Sequence, residues 1–308
     1  MTDQSTKNII FPRPLKEGDI ISICSPAGPV NPDNVIKAAE VLRAQGWKVR
    51  IEPHALGRNG NYSGTEAERL ADLENAFRDP AVRAVLAGRG GYGVVHLMDK
   101  LSNDIDFKND PKWVIGFSDI SAMHALMSTN DIASIHASMT SHIALGPDDP
   151  DNAALFAILR GERPSFTFPG TRYDRLGQAE GRLVGGNLAV ISGLLGTRYD
   201  IFEKDTILFI EDVAEPIYKI ERMLYKLRYA DILPNLRGLI VGQFTEYKPD
   251  KSYERMEDMI ADMVAPYSYP VAYNAPIGHV GHNIPVIENA RVTLKVTSTG
   301  MNHLIYWT

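Results

Sequence analysis

A chain of 308 residues, 44% hydrophobic and 23% charged, has material for two domains or one large α/β domain with an ordinary core. Its formal charge of -6 argues against general nucleic-acid binding, and no apolar run approaches the ~20 residues needed to span a bilayer. The only cysteine, Cys24, rules out an internal disulfide, and the stretch MTDQSTKNIIFPRPLKEGD has no apolar segment of signal-peptide length, so a cytoplasmic location is expected.

The first half alternates strand and helix patterns. DIISICSPAG (19–28) is an apolar run that ends in turn residues. NPDNVIKAAEVLRAQG reads as an amphipathic helix, with Asn31 or Asn34 near its start and Gly46 just past its end. WKVRIEP is a second strand. SGTEAERLADLENAFRDP is a helix in which Ser63 and Glu66 have capping-box spacing. VRAVLAGRGGYG is a third strand running into a glycine-rich turn, and KWVIGF a fourth. A helix follows with Ile120, Met123, Ala125 and Met127 as apolar positions, and IASIHASM is a fifth strand. Strands separated by helices imply a parallel sheet, whose ligand site lies beyond the carboxyl ends of its strands. Two turns fall there: GRGGYG (88–93) and GFSD (116–119).

Residues 161–178, rich in Gly, Pro and Arg, read as a linker. The expectation is therefore an α/β N-terminal domain over 1–160, of Rossmann or flavodoxin type, and a second domain over 179–308. The second part contains the strand TILFIE (206–211). A helix, PIYKIERMLYKLRYADIL, follows with Pro216 at its first position and Ile217, Ile220, Leu224 and Leu227 as one apolar stripe. GLIVGQF is another strand. RVTLKV and HLIYWT alternate with period 2, as antiparallel strands do.

Ser118 stands at a strand-to-helix turn. It reads either as a helix cap or as a nucleophile of the G-x-S-x-G type, although Ile120 replaces the second glycine. His279 and His282 lie in the loop PIGHVGHNIP. Their H-x-x-H spacing raises a metal site that no H-E-x-x-H motif or cysteine cluster supports, and no metal or cofactor is expected. Glu211 ends its strand where a carboxylate could orient a histidine, whereas Glu215, beside Pro216, suits a helix N-terminus. GRGGYG lacks the ending of a P-loop, but its glycines let backbone N–H groups approach a ligand. Cys24 reads as a small buried hydrophobe.

Taken together, SPAGPV (25–30), GRGGYG (88–93), IGFSDISA (115–122), GRLVGGNL (181–188), IEDVAEPIYKIERML (210–224) and PIGH (276–279) resemble the LD-carboxypeptidase family of serine peptidases, which includes the microcin C immunity proteins. The resemblance implies a parallel α/β domain joined to a mainly β domain, a triad of Ser118, Glu211 and His279, and a homodimer. It also implies a small peptide substrate, a muropeptide cut at an L,D bond to release D-alanine. A peptidyl or aminoacyl nucleotide is the alternative within the family, and a non-catalytic small-molecule binding module the alternative outside it. The loop departs from the family pattern G-H-G at Val280, which keeps His282 open as the base. For the oxyanion hole, the N–H of Asp119 at the helix start and that of Gly91, or Gly90 in the other register, are the expected donors.

Overall fold

The computed structural model describes residues 8–307. Its strands are β1 (Ile20–Cys24), β2 (Lys48–Ile51), β3 (Val82–Ala87), β4 (Trp113–Gly116), β5 (Ser134–His136), β6 (Phe166–Pro169), β7 (Gly177–Asn187), β8 (Thr206–Val213), β9 (Gly238–Thr245), β10 (Val271–Ala272), β11 (Val286–Glu288), β12 (Arg291–Val296) and β13 (Met301–Tyr306). The α-helices are α1 (Pro32–Ala44), α2 (Glu66–Arg78), α3 (Met98–Asp104), α4 (Ser121–Thr129), α5 (Thr140–Ile143), α6 (Pro150–Leu159), α7 (Leu188–Gly193), α8 (Ile217–Tyr229) and α9 (Met256–Val264). None of them is long and apolar enough to cross a membrane.

The first sheet has the order β11-β5-β4-β3-β1-β2. Five strands are parallel, as the alternating pattern predicts, and β11 lies antiparallel to β5 at the edge. The order reverses between β1 and β3, so a crevice is expected beyond Cys24 and Ala87. The loops leaving these two strands meet there, where Gly28 N–H donates to Gly90 O at 3.0 Å. The second sheet runs β10-β9-β8-β7-β12-β13-β6. β7 to β10 pair in parallel, while β12, β13 and β6 are antiparallel.

The two sheets share their cores. Along β8, Ile207 and Phe209 join one apolar cluster with Ile21, Ile23 and Ile115 of the first sheet. Leu208 and Ile210 face the other way, into a cluster with Val85, Val114 and the stripe Ile217, Ile220, Leu224 and Leu227 of α8. Each strand residue alternates between the two layers, which is the period-2 rule applied to a sheet buried on both faces.

Several local expectations are corrected. The segment 161–178 is not only a linker, because β6 hydrogen-bonds along β13 at the edge of the second sheet. The boundary at 179 is also crossed in reverse, since β11 completes the first sheet. The capping box of α2 is Thr65 with Glu68, not Ser63 with Glu66. Ser63 is fully buried and its hydroxyl donates to Ser25 O instead, so the helix starts two residues later. Pro216 is the cap residue of α8 rather than its first helical residue. Asn31 caps α1 by accepting from Asp33 N–H at 3.0 Å, and Gly46 follows that helix at φ +92°.

The stripe of α8 carries much of the second layer. Leu224→Ala is expected to cost about 2–5 kcal/mol, the usual range for a buried leucine deletion, read as a lower urea midpoint with an unchanged slope.

Candidate active site

β4 is buried along its whole length and delivers Phe117 and Ser118 to the carboxyl edge of the first sheet. Ser118 has φ +66°, a left-handed conformation that a non-glycine residue holds at a cost of about 1–3 kcal/mol. The residue opens a single 3₁₀ turn, Ser118–Ile120, ahead of α4, but its side chain caps nothing. The capping reading is thereby set aside. α4 is buried all round from Ser121 to Ser128, so the helix behind the turn cannot move without disturbing the core.

The Ser118 hydroxyl lies 3.0 Å from His279 Nε2, and His279 Nδ1 lies 2.8 Å from Glu211 Oε2. The carboxylate can only accept, so Nδ1 carries the proton and the lone pair of Nε2 faces Ser118. Glu211 is fully buried in β8, not an exposed carboxylate at a strand end. The β8–β9 pairing shifts register between Ile210 and Asp212, so Glu211 sits at an irregularity of that ladder. His279 follows Gly278, which has φ +127°, and a Cβ there would stand 2.9 Å from Glu211 Oε2. Only glycine brings the loop close enough for the histidine to reach both partners.

Burial disfavours the His279 imidazolium, but the hydrogen bond and charge of Glu211, with Asp212 and Glu246 further out, outweigh it and hold the pKa above the ordinary value. The ring also packs on Phe117, with centroids 4.8 Å apart. Asp212 beside it titrates at about 6, because burial raises it more than the Ala189 and Val213 N–H donors lower it.

The glycine turn lies against Ser118. A Cβ on Gly90 would come within 2.8 Å of Ser118 Cβ and 3.0 Å of Oγ. Gly91 sits against Gly28 at φ +127°. Among the described residues, neither the Gly91 nor the Asp119 N–H donates a hydrogen bond. The Asp119 side chain accepts from Val94 N–H at 2.9 Å, which ties the turn to the residue after Ser118. Burial raises the pKa of that carboxyl.

Other candidates fall elsewhere. His282 is exposed and its Nδ1 lies 2.8 Å from Asp151, so the two loop histidines face different partners. His142, Asp149 and Asp151 could together hold a cation among the described residues, but His279 is not among them. Cys24 is fully buried, and burial drives its thiol pKa well up. A cavity of about 1180 Å³, lined by Arg182, Arg237 and Arg291 among others, includes none of Ser118, Glu211 and His279. Sequence reasoning missed two bonds of Asn187, one that ties the second sheet to α4 and one within that sheet. Asn187 N–H donates to Ser121 Oγ at 3.0 Å, and Asn187 Nδ2 donates to Asp212 at 3.1 Å. The only local signal was an asparagine ahead of an apolar helical run.

Two outcomes test this geometry. Gly90→Ala is expected to lower kcat/KM about 10²-fold with the circular dichroism spectrum retained, because its methyl group displaces Ser118. With His279 as the base, the ring must be neutral to accept a proton, so the acid limb of kcat/KM is expected above the ordinary histidine value of 6.5. Glu211→Gln removes the carboxylate that most favours the imidazolium, and should move that limb to lower pH as well as lowering the plateau.

Comparison with known proteins matches residues 21–137 to the LD-carboxypeptidase N-terminal domain and residues 180–294 to the C-terminal domain of the same family. A Bacillus subtilis protein named "Probable murein peptide carboxypeptidase" is 32% identical over 297 residues, covering 92% of this chain and 91% of its own. The crystal structure of muramoyltetrapeptide carboxypeptidase from Oxalobacter formigenes superposes with a TM-score of 0.83 at 25% identity, over 94% of this chain and 99% of that one. The microcin C7 self immunity protein in complex with aspartyl sulfamoyl adenosine shares the fold, with a TM-score of 0.84 at 19% identity over 97% and 99% of the two chains. With both family domains matched in order and a relative 32% identical along nearly its whole length, this chain belongs to the LD-carboxypeptidase family.

Proposed function

We propose that this protein is a serine carboxypeptidase that cuts the bond between an L-configured centre, such as that of meso-diaminopimelate, and a terminal D-alanine in muropeptides. The observation that carries the mechanism is the unbroken hydrogen-bond line Ser118 Oγ, His279 Nε2, His279 Nδ1, Glu211 Oε2. The substrate class rests on the family and on the names of the B. subtilis and O. formigenes relatives.

Ser118 Oγ attacks the scissile carbonyl carbon as His279 Nε2 takes its proton, and buried Glu211 stabilises the imidazolium that forms. The carbonyl oxygen becomes an oxyanion, which the N–H groups of Asp119 and Gly91, or Gly90 in the alternative register, would receive. Collapse of the tetrahedral intermediate breaks the C–N bond, and His279 returns the proton to the departing amine of D-alanine. Water, activated by the same histidine, then hydrolyses the acyl-enzyme. A cytoplasmic location and a homodimer complete the reading.

Mass spectrometry of a murein tetrapeptide digest is the direct test, with an aminoacyl sulfamoyl adenylate as the competing substrate. Loss of the terminal D-alanine is expected. Ser118→Ala and His279→Ala should each lower kcat by about 10³-fold or more, since triad members act as a unit. His282→Ala should keep measurable turnover. Near-normal hydrolysis by a folded Ser118→Ala protein, or transfer of the loss from His279 to His282, would overturn the assignment.

A further inference from the structure

The loop that carries His279 is fastened from the other half of the molecule. Its backbone closes on itself, with Ile284 N–H donating to Pro276 O at 2.9 Å. Inside it, the buried Asn283 side chain accepts from Gly278 N–H through Oδ1 at 2.9 Å. Asn283 N–H in turn donates to Asp151 Oδ2 at 2.7 Å. Asp151 is buried in the first turn of α6, a helix whose Leu155, Phe156 and Leu159 belong to the shared core. The Asn283 amide also points Nδ2 at Ser138 Oγ, 3.4 Å away and just beyond β5.

The first turn of α6 has a side-chain cap without Asp151. Asp149 accepts from the N–H groups of both Asp151 and Asn152. The Asp151 carboxylate turns to the loop instead, through Asn283 N–H and His282 Nδ1, with His142 Nε2 3.6 Å from its Oδ2. The bond to Gly278 matters because glycine has wide backbone freedom. At φ +127°, one orientation of its peptide aims His279 at Ser118 and Glu211 together, and the Asn283 acceptor selects that orientation.

We propose that Asn283 and Asp151 are positioning residues for the reaction, the chain Asp151–Asn283–Gly278 fixing the backbone from which His279 meets its two partners. This rests on His279 acting as the base. The Asn283–Asp151 bond holds this loop, contributed by residues after β10, against a helix contributed by residues before β6, and the Gly278–Asn283 bond carries that anchorage to the residue before His279. The reacting geometry thus depends on how the two parts of the chain are joined, as well as on the triad side chains.

Three variants test this: Asn283→Leu, Asp151→Ala and Asp151→Asn, with melting temperature as the folding check. The readouts are kcat and KM on the tetrapeptide, the acid limb of kcat/KM, and the rate at which a fluorophosphonate labels Ser118. Asn283→Leu and Asp151→Ala are expected to lower kcat about 10- to 100-fold with KM changed by less than about twofold, the effect of a small misplacement of a catalytic group. Labelling should slow in proportion, and the acid limb of Asn283→Leu should move to lower pH as the imidazole leaves Glu211. Asp151→Asn still accepts from Asn283 N–H and should recover to within about threefold of the wild type.

The inference is overturned if folded Asn283→Leu or Asp151→Ala keeps kcat and labelling within about twofold of the wild type, or changes KM alone. It is equally overturned if Asp151→Asn is as impaired as Asp151→Ala. Should Asn283→Leu not fold, the two Asp151 variants decide between these outcomes. A wild type that is labelled at Ser118 but leaves the tetrapeptide intact refutes the proposed substrate only, and the relative labelling rates then decide the positioning role. A wild type that is neither labelled nor active refutes both.

Discussion

The 3.0 Å contact between Ser118 Oγ and His279 Nε2 joins two sheets, and it exists only if their carboxyl edges meet in one register. Ser118 follows β4 of the first sheet, Glu211 lies in β8 of the second, and His279 hangs on a loop between β10 and β11. Much of the remaining architecture serves that register. The apolar clusters take residues from both sheets. Buried polar bonds then cross the seam at defined points, from Asn187 to Ser121 and from Ser128 Oγ to Asn289 Oδ1 at 2.8 Å. Apolar packing supplies attraction without direction, whereas a buried hydrogen bond is lost if the partners slide, so the polar pairs select one alignment.

Groups that disfavour folding are concentrated at the same seam. Ser118 has a left-handed backbone, and Glu211, Asp212 and Asp119 are buried carboxyls. Burying a charge is costly unless donors meet it. Asp212 receives Ala189 N–H, Val213 N–H and Asn187 Nδ2, and Asp119 receives Val94 N–H. Glu211 has the imidazole of His279 on one oxygen, while the other has no partner among the described residues. That arrangement keeps Glu211 dependent on the histidine it orients. Behind Ser118, His124 Nε2 lies 2.8 Å from Gly116 O and its Nδ1 2.9 Å from Ser134 Oγ, bracing the end of β4 against β5. Burial lowers its pKa to about 4, so it braces the strand as a neutral ring near neutral pH.

Local chemistry was legible in the sequence because it depends on nearby residues. The first sheet followed from alternating apolar and amphipathic runs, since a buried parallel strand and a one-sided helix have different periods. Asn31, Gly46 and the stripe of α8 fell where capping and 3.6-residue periodicity put them. Ser118, Glu211 and His279 could be named because each sits in a short stretch, GFSD, FIED and PIGH, that resembles a motif of the family. The glycine turn was placed at the right edge by the same reasoning.

What the sequence could not decide was every relation between distant segments. Nothing local says that β6 pairs with β13, or that β11 returns to the first sheet, because edge pairing depends on which strands are left unpaired after the core closes. The choice of His279 over His282 rested only on its place after Gly278 in the family-like motif, for the same reason. Three residues apart in one loop, they differ in partner only because Glu211 approaches one and Asp151 the other. The capping box moved by two residues because Ser63 is held by the loop after β1, a contact 38 residues away in the chain. Periodicity thus determined the strands and helices of the first sheet, and short motifs singled out the candidate site residues. Only the tertiary structure decided who meets whom, because hydrogen bonds act over about 3 Å of space regardless of their separation in sequence.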